Sequence, residues 1–269
     1  MKAYNRCLVG VKEQVYKHEI ATIKRYGDKY KLTLNKIVRE KGWEQVKAPP
    51  PDDDTDSEDE IKLDNRKLRN NISRARGKIY ELAMCNDFQY FITCTLDKEK
   101  YKRDDLAKFH KDLSQFIRDQ RKKYKADDLK YILIPELHKD GKNWHMHGLL
   151  GGIRKEMLSP FISGVHPQRL INKGYLNWMD YANKFGFISV GMVRDKGKAA
   201  GYIKKYITED LDKSVQDYGA HLYYRSQGLK VAELIEKGSL CQVPSFWDYE
   251  NDYVKIKWIT EDEISAFIS

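Results

Sequence analysis

Cysteine is scarce in this chain, and what there is lacks pattern. The four cysteines, at positions 7, 85, 94 and 241, make no CxxC pair and no framework spacing. That excludes a disulfide-stapled scaffold and a zinc ribbon, and it suits a reducing compartment. Long apolar runs are missing as well. None approaches the roughly 20 residues of a membrane span, and the stretch from Met1 to Arg6 has no apolar signal core. The expected location is therefore cytoplasmic, with no membrane partner. A glycine-rich phosphate loop of the Walker kind is absent too, so an ATP-driven motor is excluded. No internal repeat is found.

Charge, by contrast, is plentiful and unbalanced. Lysine and arginine total 49 against 40 acids, a net charge of +9. Asp52, Asp53, Asp54, Asp56, Glu58, Asp59 and Glu60 crowd into one run, so the rest of the chain is more basic still. Such a surplus points to a polyanionic partner, most commonly nucleic acid. The acidic run follows Pro49, Pro50 and Pro51; it cannot bury a core, and residues 49–61 read as a linker. Residues 1–48 ahead of it are a β-like extension, with runs at 6–11, 19–23 and 30–34 and a hairpin turn at Gly27-Asp28. Residues 62–225 form the main domain. Residues 226–269 read as an extension packed on it, with a helix after Gly228, a strand at 254–260 and a capping box from Thr260 to Glu263.

Within the main domain, residues 64–84 read as a basic helix. Arg66, Arg69, Arg74, Arg76 and Lys78 are placed to grip phosphates, while Leu68, Ile72, Ile79 and Leu82 form its packing face. A strand over 88–96 precedes a helix over 104–124, capped by Asp104 or Asp105. The helix buries Leu106, Phe109, Leu113, Phe116 and Ile117, and leaves His110 off the stripe and exposed. A hairpin over 129–151 turns at Asp140-Gly141. Trp144, Trp178 and Tyr181 suit core packing, or stacking on unpaired bases. A strand over 186–193 leads into a helix over 196–210, whose Lys196 and Lys198 extend the basic set. Largely antiparallel strands with helices mainly over one face make an α+β fold.

The chemistry concentrates at His145-Met146-His147. Strand alternation points both imidazoles to one face and Met146 to the other. The hairpin lays Glu136 beside that face, which completes an open site of two nitrogens and a carboxylate for a divalent ion. His138 shares the face and is a rival third ligand; Mg²⁺ or Mn²⁺ working on phosphate favours the oxygen of Glu136. Downstream, Tyr202, Lys205 and Tyr206 recur at i, i+3 and i+4, one face of a helix. A phenol beside a cation can act as a nucleophile.

Three stretches together resemble the HUH endonucleases, the superfamily of rolling-circle replication initiators, relaxases and single-strand transposases. His145-Met146-His147 matches the His-hydrophobic-His motif. The stretch from Tyr202 to Tyr206 matches the two-tyrosine motif of phage initiators, and Phe91 to Leu96 is similar to the first Rep motif. The resemblance covers roughly residues 66–225. It implies a ferredoxin- or RRM-like sheet with the histidine motif on a central strand, and a site-specific nickase of single-stranded or origin DNA from a phage or plasmid. It implies that His145, His147 and Glu136 hold Mg²⁺ or Mn²⁺, and that Tyr202 forms a 5′-phosphotyrosyl intermediate aided by Lys205. Tyr206 would make a second transfer, and a host helicase and polymerase would be recruited. Tyr202 is expected near the start of its helix, where the dipole favours phenolate. The alternatives are a transposase or relaxase with the same chemistry, and a non-catalytic RRM-like binding protein suggested by the strand from Phe185 to Val190.

Overall fold

Turn chemistry sets the two hairpins on which the sheets are built. Gly27 and Gly141 both sit at positive φ, 68° and 67°, where a side chain would be strained. At the second turn the Asp140 carboxylate also accepts from the backbone N–H groups of Lys142 and Asn143, each at 3.0 Å, so the loop closes on itself. The computed structural model describes residues 16–39, 57–208, 211 and 221–267. The strand expected at 6–11 and the proline-rich part of the expected linker, 49–56, lie outside them.

In chain order, β1 (Tyr16–Tyr26) and β2 (Lys29–Arg39) form the first hairpin. Then come α1 (Ser57–Cys85), β3 (Tyr90–Thr95) and α2 (Leu106–Tyr124). The second hairpin is β4 (Lys130–Leu137) and β5 (Trp144–Gly151). Short elements follow: β6 (Ser159–Pro160), α3 (Gln168–Asn172), β7 (Leu176–Asn177) and α4 (Met179–Lys184). β8 (Ile188–Met192) leads into α5 (Lys196–Ile203) and one 3-10 turn, Lys204–Tyr206. β9 (Tyr224–Arg225), β10 (Glu233–Ser239), β11 (Tyr249–Glu250), β12 (Val254–Ile259) and α6 (Ile264–Phe267) follow. Among the described residues no helix is long and apolar enough to cross a membrane.

The chain divides into two units, one of residues 65–231 and one of residues 1–64 with 232–269. The second of these holds a five-stranded antiparallel sheet, β10-β1-β2-β12-β11. Its core is Ala21, Ile23, Leu32, Leu34, Ile259 and Phe267. A lone hairpin cannot bury one face; here β10 pairs with β1 and β12 with β2, so strands from the two ends of the chain supply the missing area. Two expectations change. Residues 233–239, expected in a helix after Gly228, are a strand. The segment 226–269, expected to pack on the main domain, instead gives β10, β11 and β12 to the sheet of the N-terminal hairpin. The capping box from Thr260 to Glu263 forms as read, with the Thr260 N–H donating to Glu263 at 2.9 Å.

The unit of residues 65–231 is built on a seven-stranded sheet, β6-β7-β8-β3-β5-β4-β9, all antiparallel. With its helices it makes the expected α+β fold. β5 lies between β3 and β4. On one face of β5, Trp144, Met146 and Leu150 are fully buried. α2 packs on that side: its Ser114 hydroxyl reaches the Tyr131 hydroxyl, and Tyr131 pairs with Leu150. α2 buries Leu106, Phe109, Leu113, Phe116 and Ile117, each side chain contributing about 1.5–3 kcal/mol. Asp105 caps its start by accepting from the Lys108 N–H at 2.9 Å, a bond of typically about 1 kcal/mol. Trp178, Tyr181 and Phe185 join Phe109 and Phe116 in an aromatic core. Trp144, Trp178 and Tyr181 are at most 1% exposed, so they pack the interior and cannot stack on bases.

Three further boundaries differ from expectation. α1 starts at Ser57 rather than at 64, because Glu58, Asp59 and Glu60 in its first turn complement the helix dipole; the end of the expected linker is thus helical. The tyrosine helix stops at Ile203 instead of 210 and tightens into the 3-10 turn. His110, expected to be exposed, stacks on Tyr224 with ring centroids 3.9 Å apart, because β9 comes to lie over α2.

One position shows how tightly the β4–β5 pair is closed. A Cβ on Gly148 would lie 2.2 Å from the Ile132 carbonyl oxygen and 2.5 Å from Leu133 Cδ2. Gly148→Ala is expected to destabilise the protein by about 2 kcal/mol or more. A lowered denaturant midpoint with an unchanged slope checks this; an unchanged midpoint refutes the closeness of the pair.

Candidate active site

Register decides what stands beside the two histidines. β3 pairs Thr95 with His145 and Thr93 with His147, and β4 pairs Glu136 with His145 and Ile134 with His147. All of these side chains share one face of the sheet. Thr93 Oγ1 lies 3.1 Å from His147 Nδ1, and Thr95 Oγ1 lies 3.4 Å from His145 Nδ1. Both rings are therefore held by Nδ1. A hydroxyl can donate or accept, so the threonines orient the imidazoles in either tautomer.

His147 Nε2 is 2.6 Å from Glu136 Oε2. The hydrogen bond from His147 holds the Glu136 carboxyl below the usual carboxylate range, and the nearby His145 and His138 act in the same sense. His138 tilts against His145 with centroids 4.5 Å apart. Burial, first, and then the neighbouring His138 and His147 hold His145 below its ordinary value. His145 is accordingly neutral near pH 7, the form that ligates metals.

Geometry and donor chemistry bear differently on the expected metal. Among the described residues, no three His, Cys, Asp or Glu side chains converge as a ready metal cluster. The donor types nonetheless fit. Two imidazoles have their Nδ1 atoms occupied by hydroxyls, and a carboxylate is in contact with one Nε2. The proton shared by His147 and Glu136 occupies the place between nitrogen and oxygen that a cation would bridge. Two imidazole nitrogens suit Mn²⁺ better than Mg²⁺, which prefers oxygen.

The tyrosines come to the same face. Tyr206 lies flat on His147, ring centroids 4.2 Å apart and planes 12° apart. The Tyr202 and Tyr206 hydroxyls are 3.2 Å from one another, and Lys205 Nζ stands 5.3 Å over the Tyr202 ring. Burial, then the hydrogen bond with Tyr202 and the charge of Glu136, push the Tyr206 phenol well above its ordinary value. Tyr202 is 46% exposed. Both open on a cleft of about 480 Å³ lined also by Glu136, His138 and Lys205. One expectation fails. α5 ends at Ile203, so Tyr202 stands in its last turn, where the helix dipole disfavours phenolate; any electrostatic help there comes from Lys205.

The basic residues are more dispersed. Arg76 Nε donates to the Ile207 carbonyl at 2.9 Å and so braces the end of the tyrosine turn. Arg69 and Arg76 line a separate groove of about 220 Å³ with Ile72 and Ser73. Arg74 is exposed. Lys78 pairs with Glu81 at 2.6 Å, Lys196 pairs with Asp87 at 3.3 Å, and Lys198 is 88% exposed. Arg66 lies in α1, with its side chain outside the described set. None of these lines the tyrosine cleft.

Sequence reasoning missed Thr93 as a partner of His147 and Phe91 as a neighbour of both tyrosines, with centroids 5.3 Å and 6.3 Å away. The signal was the period-2 series Phe91, Thr93, Thr95; only the pairing register shows which histidine each one meets.

Compared with known proteins, residues 89–211 match the model of a family described as replication-associated protein, of the ORF2 type. That span runs from the start of β3 past the tyrosine turn. No curated protein and no solved structure matches the chain.

The state of His145 is directly measurable. Its depressed pKa means that the folded, metal-free protein binds fewer protons here than the unfolded chain, whose histidines titrate near about 6.5. Stability should fall as pH drops through that value. The expected result is an NMR titration midpoint below about 6.5 for the imidazole signal that disappears in His145→Asn. A midpoint at or above it would contradict the burial of this ring.

Proposed function

We propose that this chain initiates DNA replication by cutting one strand and retaining the cut end on a tyrosine. The observation that carries the reading is the stacking of Tyr206 on His147, with the Tyr202 hydroxyl 3.2 Å from that of Tyr206. It brings a pair of phenols to the face that bears two imidazoles and a carboxylate. The match of residues 89–211 to a replication-associated family supports the role in replication.

In this reading the Tyr202 oxygen attacks the scissile phosphorus. One O–P bond forms and one breaks, and the strand leaves as a free 3′-hydroxyl that a polymerase can extend. The 5′-phosphate stays on the tyrosine, so the bond energy is conserved and rejoining needs no ATP. Tyr202 is favoured for the first step because it is exposed and lies under the Lys205 ammonium, which stabilises negative charge on the phenol or phosphate. Tyr206 is held protonated by burial; it positions Tyr202 first and serves the second transfer after rearrangement. His145, His147 and Glu136 would hold Mn²⁺ or Mg²⁺, whose charge supplies Lewis-acid polarisation of the phosphate. Thr93 and Thr95 hold both imidazoles in place. A helicase would be a separate partner.

Incubation with single-stranded origin DNA and Mn²⁺, followed by denaturing electrophoresis, tests this. Tyr202→Phe should abolish the covalent adduct and Tyr206→Phe should retain it. The opposite pattern reverses the two roles, and an adduct in the double variant sinks the tyrosine mechanism. In the same assay His147→Ala should remove the adduct but change DNA affinity by less than about threefold, since contacts to the backbone elsewhere dominate binding.

A further inference from the structure

On the far side of Phe91 from the tyrosine cleft lies a second groove, of about 470 Å³, lined by Phe91, Asn172, Lys173, Tyr175, Met192 and Arg194. Its floor is Gly191. A Cβ there would lie 2.5 Å from Tyr175 Cε1 and 2.7 Å from Cζ, so the Tyr175 ring rests directly on the strand backbone. Glycine is required at that position by this contact. The turn before Tyr175 is equally built: Gly174 has φ 70°, and the Tyr175 N–H donates to the Leu170 carbonyl at 3.0 Å. The ring is thus fixed from two sides.

The rest of the groove is unusual for a free surface. Met192 is 69% exposed on a strand, next to the fixed ring. Lys173 and Arg194 are exposed, and among the described residues neither is drawn into an ion pair. An aromatic face, an adjacent apolar side chain and two uncommitted cations match the two halves of a nucleotide, a flat base and an anionic phosphate. A base inside a duplex has both faces covered, so the match is to an unpaired one. Phe91 connects the groove to the site already described, since it pairs with Gly191 across the sheet and its ring is 5.3 Å from that of Tyr202.

We propose that this groove takes one unpaired nucleotide of the strand being cut, with its base against Tyr175 and Met192 and its phosphates at Lys173 and Arg194. The proposal rests on the strand-cutting reading for the identity of the strand. It assigns Tyr175 as a binding residue and Gly191 as the residue that positions it.

The test uses the full chain and a labelled single-stranded oligonucleotide in chelator, read by fluorescence anisotropy. Tyr175→Ala and Gly191→Ala should each weaken binding about tenfold, the typical effect of losing one base stack. Lys173→Ala with Arg194→Ala should weaken it and lower the salt slope by about 0.7 for each cation that meets a phosphate. Lys111→Ala, on the exposed side of α2, is the reference and should match the native chain. A set of oligonucleotides that each lack one base needs no folded variant. With native protein, removal of one base near the cut should cost about tenfold, and that cost should vanish in Tyr175→Ala. Native-like affinity in all groove variants overturns the proposal, as does an oligonucleotide set in which no single base matters. The readouts separate the two readings. Adduct formation with unchanged affinities removes the groove alone, whereas the predicted affinity losses without any adduct support the groove and remove the strand-cutting chemistry.

Discussion

The pairing register of β3, β5 and β4 is the constraint on which the candidate site depends. It sets Thr93 against His147, Thr95 against His145 and Glu136 across from His145. A slip of one residue on either side would send the threonines or the carboxylate to the buried face. The register is held by packing on that other face, where Trp144, Met146, Ile92, Cys94 and Leu133 are closed off from water, and by the backbone approach at Gly148 that admits no side chain. Core and site are thus two faces of one sheet, and the hydrophobic face specifies the polar one.

The tyrosine turn is placed by a different set of forces. α5 is short, and its arrangement over the sheet relies on contacts at its end. Arg76 from α1 binds the Ile207 carbonyl, Lys204 lies over Tyr80, and Tyr206 lies on His147. The tightening from α-helix to 3-10 turn at Lys204 keeps the Tyr202 and Tyr206 hydroxyls within hydrogen-bond distance while burying one ring more than the other. The two phenols therefore differ in environment although they share a motif. That difference supports assigning them different roles in the proposed strand transfer.

The five-stranded sheet shows how strongly nonlocal pairing can redraw an expected boundary. β1 and β2 are joined by a two-residue turn, yet their outer edges are taken by β10 and β12, more than 200 residues away in the chain. Unpaired edges and one uncovered face leave a hairpin unstable alone. Any strand of matching pattern can satisfy them, and local sequence does not say which one will.

Much of the fold and some of the site was legible in the residues themselves. Alternation placed His145 and His147 on one face and Met146 on the other. Glycine and aspartate chemistry placed the turn at Asp140-Gly141, and apolar spacing marked the buried stripe of α2. These are effects of nearest neighbours along the chain, and they survive whatever the tertiary structure does. What tertiary structure alone decided has a common physical cause, contact between residues remote in sequence. The threonines on the histidine Nδ1 atoms, the stacking of Tyr206 on His147, the Tyr175 ring on Gly191 and the closing of the first hairpin by the chain's last strands all depend on which surfaces bury one another. Even the end of α5, which moved Tyr202 from the favourable to the unfavourable end of a helix dipole, follows from packing after Ile203 and not from helix propensity.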